Sequence, residues 1–154
     1  MKFILAISAI MFGLTVHSQG ISSIQLDDLH KILNQPSENI KVVNFWASWC
    51  GPCVKELPAF GKLQGYKNAE IILVSLDFKE EIEKAKNTLK RREIGFESYL
   101  LDETNYDKLI PSISEDWTGA IPATLVISNN QKRFFYEKSF TEPELSKLIE
   151  QHSK

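Results

Sequence analysis

Cys50 and Cys53 are the only cysteines among 154 residues, with Gly51 and Pro52 between them. A pair this close can hold a metal, staple the chain or exchange a disulfide with another molecule. A structural zinc site takes four ligands, usually two cysteine or histidine pairs. The histidines are His17, His30 and His152, and no two share a ligand spacing. A copper carrier would want a soft third ligand, but Met1 and Met11, the only methionines, lie in an N-terminal segment expected to be removed. No metal is expected. As a staple the pair is badly placed, because the stabilisation from a cross-link grows with the loop it closes. Disulfide exchange is what remains. It requires an attacking thiolate and a second thiol near enough to resolve the mixed disulfide.

The surrounding pattern suits that chemistry. Ile40 to Trp46 ("IKVVNFW") reads as a buried strand, and Val54, Leu57, Phe60 and Leu63 then keep a helical period until Gly65. Cys50 falls at the junction, near the helix N-terminus, where unpaired N–H groups and the helix dipole stabilise a thiolate. Pro52 fits a first turn, where a missing N–H costs nothing. Cys53 lies close to one turn further in, and Glu56 one turn beyond Cys53 on the same side. If buried, Glu56 is a carboxylate able to take a proton from Cys53; beside Lys55 it could equally be a surface glutamate.

The elements that must position these residues alternate. Ile24 to Asn34 carries Leu26, Leu29, Ile32 and Leu33 at helical spacing, with Asp27 as its cap. Glu70–Leu76 is a second buried strand, and Lys79–Arg92 a charged amphipathic helix with Ile82, Ala85 and Leu89 inward. A short strand at Ser98–Leu101 and a helix near Asn105–Ile110 follow. Residues 123–128 and Lys132–Glu137 form a hairpin about Asn129-Asn130. A last helix begins at Thr141, with Glu144 completing a capping box. Strands separated by helices require parallel crossovers, whereas the hairpin adds antiparallel strands. The expected fold class is α/β: a central mixed β-sheet flanked by helices on both faces.

Lys2 precedes an apolar stretch, residues 3–16, which ends at Val16-His17-Ser18. This is the layout of a secretory signal peptide over residues 1–18, cleaved after Ser18, with one domain over residues 19–154. At about 14 residues the stretch falls short of the ~20 a spanning helix needs, so anchoring through residues 3–16 is the weaker reading. The formal net charge is −2. The densest basic run, Lys84–Arg92, is interleaved with glutamates on a helical pattern, so no nucleic-acid partner is expected. Outside the cytosol a disulfide persists.

Three features together resemble the thioredoxin superfamily: "WCGPC" at Trp49–Cys53, Pro58 in the same helix, and "AIPATLVI" at Ala120–Ile127. The stretch "NFWASWCGPCVKELP" from Asn44 to Pro58 is most similar to the exported, TlpA-like members, and the resemblance covers residues 24–152. It implies a thioredoxin-like fold with Cys50 as nucleophile and Cys53 as resolving thiol. Pro122 would be a cis-proline facing the pair, and Ile121 would offer backbone hydrogen bonds to an extended substrate. Trp49 and Pro52 would shape the rim where a partner docks, although Trp49 could also be core. Family members with a buried acid at the position of Asn44 use it to move protons; asparagine cannot titrate, which turns attention to Glu56. Where thioredoxins have a glycine that lets a partner approach, this chain has Lys138-Ser139-Phe140, and the bulkier Phe140 implies a narrower or different set of partners.

The expected function is an exported, periplasmic thiol-disulfide oxidoreductase, working as a monomer on protein thiols and disulfides. It would act as a reductase, in cytochrome c maturation or disulfide repair, supplied by an upstream electron donor and using no cofactor beyond its cysteines. The alternatives are a peroxiredoxin-type peroxide reductase, for which Ser48 is too close to Cys50 and no arginine stands out, and a non-enzymatic binding or chaperone domain.

Overall fold

Along Ile40–Trp46 the side chains alternate between two apolar clusters rather than between core and water. Val42 and Trp46 join one cluster, Val43 and Phe45 the other, and every residue of the segment is buried. A strand apolar on both sides belongs in the middle of a sheet covered on each face. The computed structural model describes residues 20–153 and places it there. The sheet has six strands: β1 (Ile21–Ile24), β2 (Ile40–Trp46), β3 (Ala69–Ser75), β4 (Ser98–Leu101), β5 (Ala123–Ile127) and β6 (Arg133–Tyr136). Their spatial order is β1-β4-β3-β2-β5-β6. The β2–β3, β3–β4 and β4–β1 pairs are parallel, and β5 runs antiparallel to both β2 and β6.

Five helices cover this sheet: α1 (Leu26–Asn34), α2 (Gly51–Lys62), α3 (Ile82–Arg91), α4 (Tyr106–Ile113) and α5 (Glu142–His152). Phe60 of α2, Leu89 of α3 and Leu145 of α5 pack in the cluster of Val42 and Trp46. Leu29 and Leu33 of α1 and Leu109 of α4 pack with Val43 and Phe45 on the opposite face. The expected mixed sheet with helices on both faces is the fold observed. The expected signal peptide, residues 1–18, lies outside the described residues. Among the described residues no helix is long and apolar enough to cross a membrane.

Three local expectations are corrected. The helix expected over Ile24–Asn34 starts two residues later, because Ile24 ends β1, whose four residues pair with β4 from Ile21↔Ser98 to Ile24↔Leu101. Four residues are too few to show a period, so only the pairing partner defines that strand. The cap of α1 is Gln25, whose carbonyl accepts from the N–H groups of Asp28 and Leu29, and Asp27 sits in the first turn instead. The fourth helix runs on to Ile113 through Pro111, with Asn105 as its cap accepting the Lys108 N–H at 3.1 Å. At the last helix the expected capping box is present: the Thr141 N–H donates to Glu144 Oε2 at 2.8 Å.

Lys41 is the one cationic residue of β2, and it is buried. Its ammonium group donates to the carbonyls of Ile32 and Gln35 at 2.5 and 2.6 Å, tying down the C-terminal end of α1. Burial holds its pKa below the usual lysine value.

Candidate active site

β2 delivers the chain to the end of the sheet at Trp46, and a turn closed by the Cys50 N–H on the Ala47 carbonyl (3.1 Å) leads into α2. Cys50 is the N-cap of α2 and is joined to Cys53 in a disulfide with a Cα–Cα distance of 5.3 Å. The N-cap position supplies what a reactive sulfur needs, because the Cys53 N–H donates to Cys50 Sγ at 3.3 Å. Pro52 occupies the first turn, as expected, where no N–H is missed. Cys50 retains 7% exposure and Cys53 none, so only Cys50 can meet a partner without rearrangement. Across from the pair, the Ile121–Pro122 peptide is cis, and the Ile121 carbonyl oxygen lies 3.8 Å from Cys50 Sγ.

Glu56 is buried, not on the helix surface. Its Oε1 accepts from the Asn44 amide at 2.9 Å and its Oε2 from the Phe140 N–H at 2.8 Å. Desolvation pushes its pKa up to about 7, against the pull of those two hydrogen bonds. Near neutral pH the group can therefore either hold or release a proton. Asn44 also lies within reach of Thr124 Oγ1 (3.2 Å) and the Ala123 carbonyl (3.4 Å), while its own Oδ1 is buried with no partner among the described residues. An amide suits a neighbour that changes protonation: its NH2 donates to a carboxylate, and turned over, its oxygen accepts from a carboxylic acid. Among the described residues no three His, Cys, Asp or Glu side chains converge on a site for a metal ion.

The AhpC/TSA family profile matches residues 8–132. The chain belongs to the AhpC/TSA family. A relative named thiol-disulfide oxidoreductase ResA, from Bacillus cereus (strain ZK / E33L), is 31% identical over 91 residues, 58% of this chain and 49% of the relative. The thiol:disulfide interchange protein DsbE homolog of Paracoccus denitrificans is 29% identical over 130 residues, 81% of this chain and 65% of the relative. The matches thus span about half of the first relative's length and just under two thirds of the second's. Among solved structures, a thioredoxin-related protein from Neisseria meningitidis serogroup B superposes with a TM-score of 0.65 at 26% identity, over 79% of this chain and 91% of that one. A thiol:disulfide interchange protein from Chlorobium tepidum superposes at 0.63 and 19% identity, over 76% and 81%, a likeness of fold. The fold is thioredoxin-like.

Within this AhpC/TSA chain the structure brings Cys50, Cys53, Pro52, Ile121, Pro122 and Glu56 to one end of the sheet. Trp49 is 64% exposed beside Cys50, which rules out core packing for it, whereas Trp46 is wholly buried. Phe140 is 5% exposed, its ring packed edge-on against Tyr136 at 5.7 Å. The residue reaches the site through its backbone N–H on Glu56.

Sequence reasoning missed two supporting residues of the AhpC/TSA chain. Trp117 is buried against Phe45 (4.9 Å) and Phe135 (5.6 Å), and its Nε1–H donates to the Ala120 carbonyl at 2.9 Å, fastening the turn before Ile121-Pro122. Asp77 is 2% exposed and accepts both the Ser48 N–H (2.9 Å) and the Ser48 hydroxyl (2.5 Å), anchoring the turn before Cys50. A buried aspartate just past an apolar strand is itself a signal, since such a group needs partners.

Proposed function

We propose that this chain is an exported thiol-disulfide oxidoreductase that reduces disulfides in other proteins. The observation that carries the reading is the placement of Cys50 Sγ: it receives the Cys53 N–H at the start of α2 and faces the Ile121 carbonyl at 3.8 Å. In the dithiol form the Cys50 thiolate attacks one sulfur of the partner disulfide, forming a mixed disulfide and releasing the other partner sulfur as a thiolate, which takes up a proton. Glu56, as carboxylate, accepts the proton of the Cys53 thiol. The Cys53 thiolate then attacks Cys50 Sγ and expels the remaining partner sulfur. Two electrons have passed to the partner, and the Cys50–Cys53 disulfide must be reduced by an upstream thiol donor.

The names of the relatives, thiol-disulfide oxidoreductase and thiol:disulfide interchange protein, support exchange as the reaction. Gly51-Pro52 between the cysteines supports the reducing direction, and cytochrome c maturation or repair of wrongly paired disulfides are the services we assign to it. The chain works as a monomer without metal or organic cofactor. Lys2 and the apolar residues 3–16 support export by a signal peptide cleaved after Ser18. Measuring the Cys50–Cys53 reduction potential tests the direction. A value near thioredoxin's ~−270 mV is expected, while one near ~−120 mV would make the protein an oxidant. Rapid turnover of peroxide without any exchange with disulfides would replace this reading by the peroxidase one.

A further inference from the structure

Among the described residues, the large apolar side chains left exposed are Trp49, Phe78 and Tyr106. Strand register starts the loops that carry the first two side by side. Trp46 and Ser75 are the last paired positions of β2 and β3, and Trp49 and Phe78 each stand three residues further on. The two loops are stapled together between those points. The Leu76 N–H donates to the Trp46 carbonyl at 2.8 Å. The Asp77 carboxylate takes both the N–H and the hydroxyl of Ser48, and is itself held by the Ser75 hydroxyl at 2.6 Å. Ser48 and Asp77 are thus in direct contact, and the next residue on each loop is an exposed aromatic.

Sheet order sets where this pair lies relative to the cysteines. β2, which leads to Cys50, is flanked by β5 on one side and β3 on the other. Ile121-Pro122 precedes β5 and Phe78 follows β3, so the two stand on opposite sides of Cys50, roughly 10 Å apart by strand spacing. Phe78 is 55% exposed. Leaving two rings in water on loops this well fastened forgoes burial that a partner would recover.

We propose that Phe78 is a substrate-docking residue which, with Trp49, forms a two-ring rim for the apolar residues flanking a cystine in a protein substrate. The inference rests on the exchange reading above and extends its site across β3. The occupant is a disulfide-bearing protein segment, because Cys50 is almost buried. A partner sulfur reaches Sγ only when its own chain lies against the loop of Trp49, and Phe78 is the exposed apolar side chain on the adjoining loop, on the β3 side of Cys50.

The test compares reduced full-length wild type with Phe78→Ala and Phe78→Tyr, using insulin as protein disulfide and bis(2-hydroxyethyl) disulfide as a probe too small to span the rim. The expected result is a rate constant for insulin that falls about three- to tenfold more than that for the small disulfide in Phe78→Ala, as loss of an interface aromatic does, and that Phe78→Tyr restores. Equal rates for wild type and Phe78→Ala on insulin overturn the docking role alone, as does an equal fall with both probes, which would mark a structural effect. Wild type inert toward both disulfides would sink the exchange reading and this inference with it. A wild-type dimer in sedimentation that Phe78→Ala separates would assign the rim to a second copy of the chain, overturning the protein-substrate role.

Discussion

The Asn44 amide and the Glu56 carboxylate meet at 2.9 Å inside the protein, joining the central strand β2 to the helix that begins with the redox pair. Glu56 lies one turn from Cys53, and its other oxygen takes the Phe140 N–H, so both carboxylate oxygens are engaged before any substrate arrives.

Glu56 should make stability fall with rising pH. Unfolded, it loses its proton near the ordinary value of 4.5; folded, it holds that proton up to about 7. Between these values the folded state carries the extra proton, so raising pH through the window costs stability, about 3 kcal/mol when complete. Urea unfolding of the oxidised protein at pH 4.5 and pH 8 should show this loss in wild type. Glu56→Gln should lack it.

The same substitution should alter exchange. Without a carboxylate to take the Cys53 proton, Glu56→Gln should slow resolution of the mixed disulfide by about tenfold or more and flatten the pH profile between 6 and 8. Single-turnover kinetics at several pH values would read this. An unchanged profile would confine Glu56 to holding α2 against Phe140.

Removing the resolving sulfur should trap the partner. Cys53→Ser, with Cys50 intact, should accumulate a mixed disulfide visible as a mass increase by intact-protein mass spectrometry and reversible with reductant. Cys50→Ser should form none, because Cys53 is fully buried.

Asp77→Ala should destabilise the fold by about 2–3 kcal/mol, since the half-buried Ser48 and the buried Ser75 lose their acceptor. Chemical denaturation would measure the loss, and faster amide exchange at Ser48 would localise it. Asp77→Asn, which keeps an acceptor oxygen, should cost less.

Lys41→Met should destabilise by roughly 1–3 kcal/mol by leaving two carbonyls at the end of α1 without their donor. Hydrogen exchange should quicken in the last turn of α1. Equal stability would mean that water replaces the ammonium group there at no cost.

The redox pair, the strand-to-helix junction and the mixed sheet were legible in the sequence because each rests on local pattern: two cysteines at a fixed spacing, an apolar run, and periods that switch between strand and helix. Glu56 was legible as a position one turn from Cys53 but not as a buried group. Its burial depends on Phe140, 84 residues away, arriving overhead with a free N–H. For the same reason the sequence does not show that Phe140 turns its ring inward against Tyr136. β1 escaped notice because four residues carry no period and only β4 makes them a strand. Asp77 was passed over because its partner Ser48 lies on another loop that only the closed sheet brings near, and Trp117 because its burial against Phe45 and Phe135 joins separate strands. Sequence by itself determined where the two sulfurs stand, two residues apart at a strand-to-helix junction, and on what kind of scaffold. The tertiary structure decided which carboxylate loses its water and so can trade protons near pH 7, because desolvation is set by everything packed around a group and not by its neighbours in the chain.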